Sequence, residues 1–269
     1  MVPISAEAWG SFGQNVVGAL ALGFVIAACG GSGGGSSAMS GTGALEETGT
    51  MAESSSPQFW LNSGGRFFFE GGFGHTIQGE LPGDDRWHQA YARSNPTDTD
   101  GGAHPQNLFR LVTRPTYRDV AQDTTFTIRR TNVSASPNRN ESNGVLFFQH
   151  YLDGDDLYYA GVRVDGRGVV KKKIHGRYYT LGIVPVFPGA YDRSRNPNLI
   201  PTNQPIDLRS ETHSNGDGSV DITLWVDGRL TLQVRDTGVG GAPIANPGFA
   251  GIRSDFMDVE FARYEIEGE

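Results

Sequence analysis

An all-β domain, a sandwich or barrel of antiparallel strands, is what this sequence predicts, and three observations predict it. A tetrapeptide occurs twice, Val164-Asp165-Gly166-Arg167 and Val226-Asp227-Gly228-Arg229, each time between two runs of alternating apolar and polar residues. Asp-Gly in that setting is a strong hairpin signal. Short alternating segments recur along the chain, punctuated by turn chemistry such as Pro82-Gly83-Asp84-Asp85, Asp153-Gly154-Asp155-Asp156 and Asn246-Pro247-Gly248. After Ala28, no stretch of ten or more residues has helical apolar spacing.

The elements follow in chain order. Residues 16–28 are thirteen apolar or small residues, too short to span a bilayer as a helix, and they precede Cys29, the single cysteine. From Gly30 to Ser56 the chain is mostly Gly, Ser, Thr and Ala with a few acids, which reads as a flexible tether. Residues 57–269 are ample for one all-β domain with a sizeable core. With one cysteine no intrachain disulfide forms, so the core alone must hold that domain.

Strands are expected over 66–70, 75–79, 108–113, 124–131, 144–151, 157–164, 168–174, 177–181, 206–213, 219–226, 230–235, 248–253 and 257–266. Two longer loops, 81–107 and 184–205, interrupt them, and a short helix is expected within the first near 87–93.

Each hairpin has a predicted register. A three-residue loop from Asp227 to Arg229 pairs Val226 with Leu230, Leu224 with Leu232 and Ile222 with Val234. The other face then pairs Trp225 with Thr231, Thr223 with Gln233, and Asp221 with Arg235 as an ion pair. The same rule pairs Val162 with Val170, Ala160 with Lys172 and Tyr158 with Ile174. It sets Tyr159 against Lys173, Gly161 against Lys171 and Arg163 against Val169 on the wet face. That face has two readings: a solvated sheet surface, or a surface for an acidic sugar chain, since aromatics offer flat apolar bodies and cations pair with carboxylates.

Two resemblances add to this. Ile26-Ala27-Ala28-Cys29 resembles the lipobox of bacterial lipoprotein signal peptides. The resemblance implies a signal over 1–28, a lipid on Cys29, a tether over 29–56 and a membrane-anchored, cell-envelope address. Residues 1–28 depart from it in having no Lys or Arg, where such a signal is normally positive. A short apolar helix with a chance cysteine is the alternative. Farther on, the segment 156–166, the 171–181 run, 221–232 and Gly248-Phe249-Ala250-Gly251-Ile252-Arg253 leading into 258–266 resemble the concanavalin A-like lectin/glucanase superfamily, which includes laminin-G-like modules. That resemblance implies a jelly-roll sandwich of two antiparallel sheets, with glycans held across one of them. The superfamily hosts lectins, hydrolases, lyases and adhesion modules, so it leaves the activity open.

For polyuronate β-elimination, a base, an acid and a group that neutralises the carboxylate are needed. Gln149, Tyr151, Tyr159, Arg163, Lys171 and Lys173 are the candidates, with a tyrosine as acid or base. Gln149 and His150 are adjacent, so they share a cleft only across a bulge. The paired carboxylates of a jelly-roll glucanase are not in evidence; Asp258 and Glu260 come nearest. Asp258 is also placed for the structural Ca2+ that many such sandwiches carry, with backbone oxygens near 70–72, although turn-capping is the plainer reading of the acid clusters. No other cofactor is called for. Tyr151, Tyr179, Trp225, Arg163, Lys171 and Lys173 are the candidate glycan contacts. A formal net charge of −8 argues against a nucleic-acid partner. The expected function is thus a carbohydrate-binding domain for an acidic polysaccharide. A lyase and a non-catalytic adhesion module are the alternatives.

Overall fold

The computed structural model describes residues 35–38, 42–70 and 73–268, so the signal-like segment 1–28 and Cys29 lie outside the described residues. Sixteen strands are described: β1 (Gly35–Ala38), β2 (Gly43–Glu46), β3 (Phe59–Ser63), β4 (Arg66–Glu70), β5 (Phe73–Thr76), β6 (Leu108–Tyr117), β7 (Val120–Thr131), β8 (Gly144–Tyr151), β9 (Leu157–Arg163), β10 (Arg167–Ile174), β11 (Arg177–Pro185), β12 (Ile206–Ser214), β13 (Val220–Val226), β14 (Arg229–Asp236), β15 (Gly248–Asp255) and β16 (Met257–Gly268). One helix, α1 (Arg86–Ser94), lies in the first long loop, where the Asp85 side chain caps it by accepting from the Trp87 amide.

The strands form two antiparallel sheets. A nine-stranded sheet runs β14-β13-β12-β7-β16-β5-β4-β2, with β1 also on β16, and a seven-stranded sheet runs β11-β10-β9-β8-β15-β6-β3. Their inner faces alternate as a sandwich requires. Phe147, Tyr158, Ala160, Val162, Leu111 and Ile252 of the seven-stranded sheet meet Phe126, Ile128, Leu208, Ile222, Leu224, Val259 and Ile266 of the other in one buried core. Phe67, Phe109 and Phe261 pack ring on ring across it, with centroids 5.3–6.0 Å apart.

The domain starts earlier than the composition indicates. Residues 42–56 belong to it: β2 pairs with β4, and Leu45 is a buried core residue. Glu46 takes hydrogen bonds from Arg66 and the Trp87 indole, and Glu47 takes them from Tyr91 and the Gly65 amide. These two acids clamp α1 to the sheet edge. Gly and Ser dominate just upstream and hide the short apolar-acidic motif that does this.

Both hairpins form, with corrected registers. In β13–β14, Asp221 opposes Arg235, Ile222 Val234, Thr223 Gln233 and Leu224 Leu232. Closer to the turn the register shifts, so that Trp225 opposes Leu230 and Val226 opposes Arg229. The loop is two residues, Asp227 and Gly228, with φ of 50° and 71°, the left-handed pair that suits strand twist. The Asp221–Arg235 pair is bidentate at 2.6 and 2.7 Å. In β9–β10, Val162 opposes Gly168, Ala160 Val170 and Tyr158 Lys172, two residues away from the predicted pairing. A slip of two leaves every side chain on its predicted face, which is why alternation alone cannot detect it.

Candidate functional site

The outer face of the seven-stranded sheet carries the aromatic and basic residues of β9, β10 and β11, but it is drier than the hairpin pattern implies. Leu146, Phe148, Leu157, Tyr159, Val169 and Val112 form a second buried cluster there, edged by Trp60, Tyr151, Tyr178 and Phe249. Arg253 lies between this cluster and an acid. Its Nε and Nη2 donate to Asp255 at 3.1 and 2.5 Å, and its guanidinium sits 5.1 Å from the Tyr159 ring centroid. Burial pulls the Arg253 pKa down, and Asp255 beside it more than reverses this, so the cation is firmly held.

Tyr178 stands next to Tyr159, with ring centroids 5.9 Å apart, and two ammonium groups approach it: Lys171 Nζ at 5.7 Å and Lys173 Nζ at 5.2 Å from its centroid. Burial, and then the neighbouring Tyr159, raise the Tyr178 pKa well above the ordinary phenol value; burial also raises that of Tyr151. Both phenols therefore stay protonated at neutral pH and serve as hydrogen-bond donors rather than bases. Tyr159, Tyr178, Lys171 and Arg253 surround a solvent-open hollow of about 390 Å³, with Ser142 and Asn143 on its rim. Ser142 reaches the rim because Asn140 and Asn143 lock the preceding turn: Asn143 accepts from the Asn140 amide and Asn140 from the Ser142 amide.

No family model and no curated protein matches the chain. Several solved structures resemble it, among them carbohydrate-binding module CBM66 from Bacillus subtilis (12 % identity, 76 % of this chain and 91 % of that one, TM-score 0.46), the metal-free carbohydrate recognition domain of Emp46p (12 %, 82 % and 93 %, 0.43) and the VIP36 exoplasmic/lumenal domain in its Ca2+/Man-bound form (9 %, 83 % and 88 %, 0.40). The two packed antiparallel sheets that the sequence predicts are shown by the strand pairing itself. At these identities and scores the likenesses carry no argument about what it binds.

The structure separates several of the predicted site residues. Lys171, Lys173, Tyr159 and Tyr151 lie on the outer face of the seven-stranded sheet. Lys173 is tied down, donating to Gly154 O at 2.6 Å and pairing with Asp155 at 3.2 Å. Arg163 is 7 % exposed and fixed by Glu141 O and Asp165. Gln149 points into the core and donates to Ser210 at 2.6 Å. A bulge at His150, whose φ is 46°, turns Gln149 and His150 both inward while Tyr151 stays outside, stacked on Phe148. The cleft that a bulge could open is instead a sealed one, where the His150 ring nitrogens meet Ile244 O and Arg118 O. Tyr179 faces the other way from Tyr178, beside the backbone of Gly240. Trp225 is half-buried on the outer face of the nine-stranded sheet, beyond the core from Lys171.

Lys172, between the two outward lysines, points inward. Its ammonium meets Asp236 Oδ2 at 2.8 Å, Val239 O at 3.1 Å and Gly241 O at 2.8 Å. Tyr158 donates to the same Asp236 oxygen, and the Gly238 and Val239 amides donate to the other. This network fastens the loop after β14 onto the core.

Asp258 does not suit a calcium ion. Its carboxylate accepts from Gly79 N, Gln106 Nε2 and Asn132 Nδ2, and it pairs with Arg130. A carboxylate ringed by N–H donors leaves no lone pairs directed at a hard cation. Gly71 and Gly72, whose oxygens would have completed the site, lie outside the described residues. Asp153 caps its own turn by accepting from the Asp155 and Asp156 amides, the plain role expected for it.

Sequence reasoning missed Arg253, Ser142 and Asn143. The alternation of β15, with Ala250 and Ile252 inward, marks Arg253 as outward. Its closeness to Tyr159 comes from β8, which pairs with both β15 and β9, and that connection is not legible from local pattern.

Proposed function

We propose that this domain binds a carbohydrate, specifically an anionic polysaccharide, across the outer face of the seven-stranded sheet. The observation that carries the reading is the open hollow in which Lys171, Arg253, two tyrosines and the Ser142–Asn143 rim converge. Cations supply carboxylate contacts, phenol and amide groups supply hydroxyl contacts, and the exposed flank of Tyr178 gives an apolar surface. The 184–205 loop leaves this face open, because Val186, Phe187 and Tyr191 pack on the main core instead. A lipid anchor at Cys29 and a cell-envelope address belong to the same proposal and rest on the 26–29 segment alone.

A lyase reading draws less support. Its neutralising Gln149 is buried and donates to Ser210 in the core, away from the outer face. Calorimetric titration with a polyuronate panel tests the proposal. Binding should weaken with salt, and Lys171→Ala should cost about 1.5–3 kcal/mol, roughly 10- to 150-fold in affinity. No unsaturated product should absorb in the ultraviolet. Equal affinity of Lys171→Ala and the unaltered protein would refute it.

A further inference from the structure

A second hollow lies on the other side of the 140–143 turn, lined by Thr131, Arg139, Asn140, Asn143, Tyr191 and Asp255, among others. Counting the solvent at its mouth, it measures about 200 Å³. Arg139 is only 7 % exposed, yet among the described residues no carboxylate lies within ion-pair distance of it. Its hydrogen bonds go to carbonyls: Nε to Ser134 O at 2.6 Å and Nη1 to Arg193 O at 2.9 Å. The neighbouring Arg193 likewise donates to Arg139 O, Ser136 O and Ala135 O, so two guanidiniums adjoin without an acid between them. Asp255, the carboxylate on the lining, is held by Arg253. Burial first, and then the Arg193 charge, depress the Arg139 pKa, and the opposing pull of Tyr191 and Asp100 is smaller.

A second observation points the same way. The Tyr191 hydroxyl oxygen on this lining is fully buried and has no hydrogen-bond partner. Buried hydroxyls are rarely left so, and a buried cation without a counter-charge is costly. One acceptor-only ligand of a few atoms answers both needs, since it takes a proton donor from each group. Water does not neutralise the guanidinium; an anion does.

We propose that this hollow binds a small anion, a halide or a carboxylate, which accepts from the Arg139 guanidinium and the Tyr191 hydroxyl. The site shares Asn143 with the polysaccharide hollow, but the proposal does not depend on polysaccharide binding there. Melting temperatures of the full chain in sodium chloride, sodium formate and the bulkier sodium methanesulfonate, at equal ionic strength, test it. Chloride, formate or both should raise the melting temperature by a few degrees over methanesulfonate. Chloride alone identifies a halide site and formate alone a carboxylate site. Tyr191→Phe should shrink the difference, and Arg139→Gln, where it folds, should remove it. A crystal soaked in bromide should show an anomalous peak beside Arg139 and Tyr191 if the halide is bound. Equal melting temperatures in the three salts overturn the proposal, and so does an anion effect that survives Tyr191→Phe undiminished. In the first case Tyr191→Phe should be neutral or stabilising, because it removes an orphan hydroxyl.

Discussion

Replacing Lys172 by Met strikes the network that joins the two sheets to the loop after β14. The side chains of Lys172 and Asp236 are both fully buried, 2.8 Å apart. Met fills much of the same volume but donates nothing. Asp236 keeps the Tyr158 hydroxyl and two backbone amides, while Val239 O and Gly241 O lose their donor. Removing one partner of a buried ion pair costs about 3–5 kcal/mol, because the other charge stays behind. For a domain of this size that is roughly 6–20 °C in melting temperature. The loss also has a pH signature. Burial pushes the Asp236 pKa up, but Lys172, Tyr158 and the two amides outweigh burial and leave it below the ordinary value. Its contribution to stability in the unaltered protein is therefore present at neutral pH and disappears as pH falls through that lowered pKa. Without Lys172, burial dominates and the folded-state pKa rises above the unfolded one. The penalty is then largest at neutral pH and fades once Asp236 protonates in both states. Urea unfolding at pH 7 and pH 4 should show the variant's deficit narrowing in acid, and Lys172→Met with Asp236→Asn should recover part of it. A deficit below about 1 kcal/mol at pH 7, or one that grows in acid, would refute the reasoning.

Two further predictions concern carboxylates. Burial raises the Glu47 pKa from 4.5 to about 7, against hydrogen bonds from Tyr91 and Gly65 that lower it. A folded-state pKa above the unfolded one means stability falls between about pH 4.5 and 7, by at most about 3 kcal/mol. Glu47→Gln should thus stabilise the domain at pH 8 and leave it nearly unchanged at pH 4; equal effects at both pH values in urea titrations would contradict this. Adding EDTA should leave the melting temperature unchanged, because N–H donors fill the Asp258 carboxylate. A fall of several degrees, restored by Ca2+, would show a metal site there after all.

Much of the sheet structure was legible because alternation reports which face a side chain takes. Strands β8 to β16 all fall where alternation and turn chemistry place them, and the Asp221–Arg235 pair was readable from register alone. What alternation does not report is what covers a face. The lysine run at 171–173 shows this: its inward member, Lys172, was visible as inward, but its partner Asp236 sits at the end of another sheet's edge strand. Gln149 and Tyr151 were expected on one face because they lie two residues apart, and a single bulge at His150 parted them. β1, β2 and β3 escaped notice because a Gly- and Ser-rich approach conceals β1 and β2, and because β3, Phe59–Ser63, is short. Trp225 and Lys171 each take a wet face, yet on opposite sheets, and only the long-range strand order tells the two surfaces apart.

Mapping an acidic oligosaccharide onto the folded domain by amide chemical shifts tests the central claim most directly. The account predicts perturbations concentrated on β9, β10, β11, β15 and the 140–143 turn, lost in Tyr178→Ala with Lys171→Ala and kept in Trp225→Ala. Perturbations centred on Trp225 and the outer face of the nine-stranded sheet, or none with any acidic or neutral glycan, would contradict it.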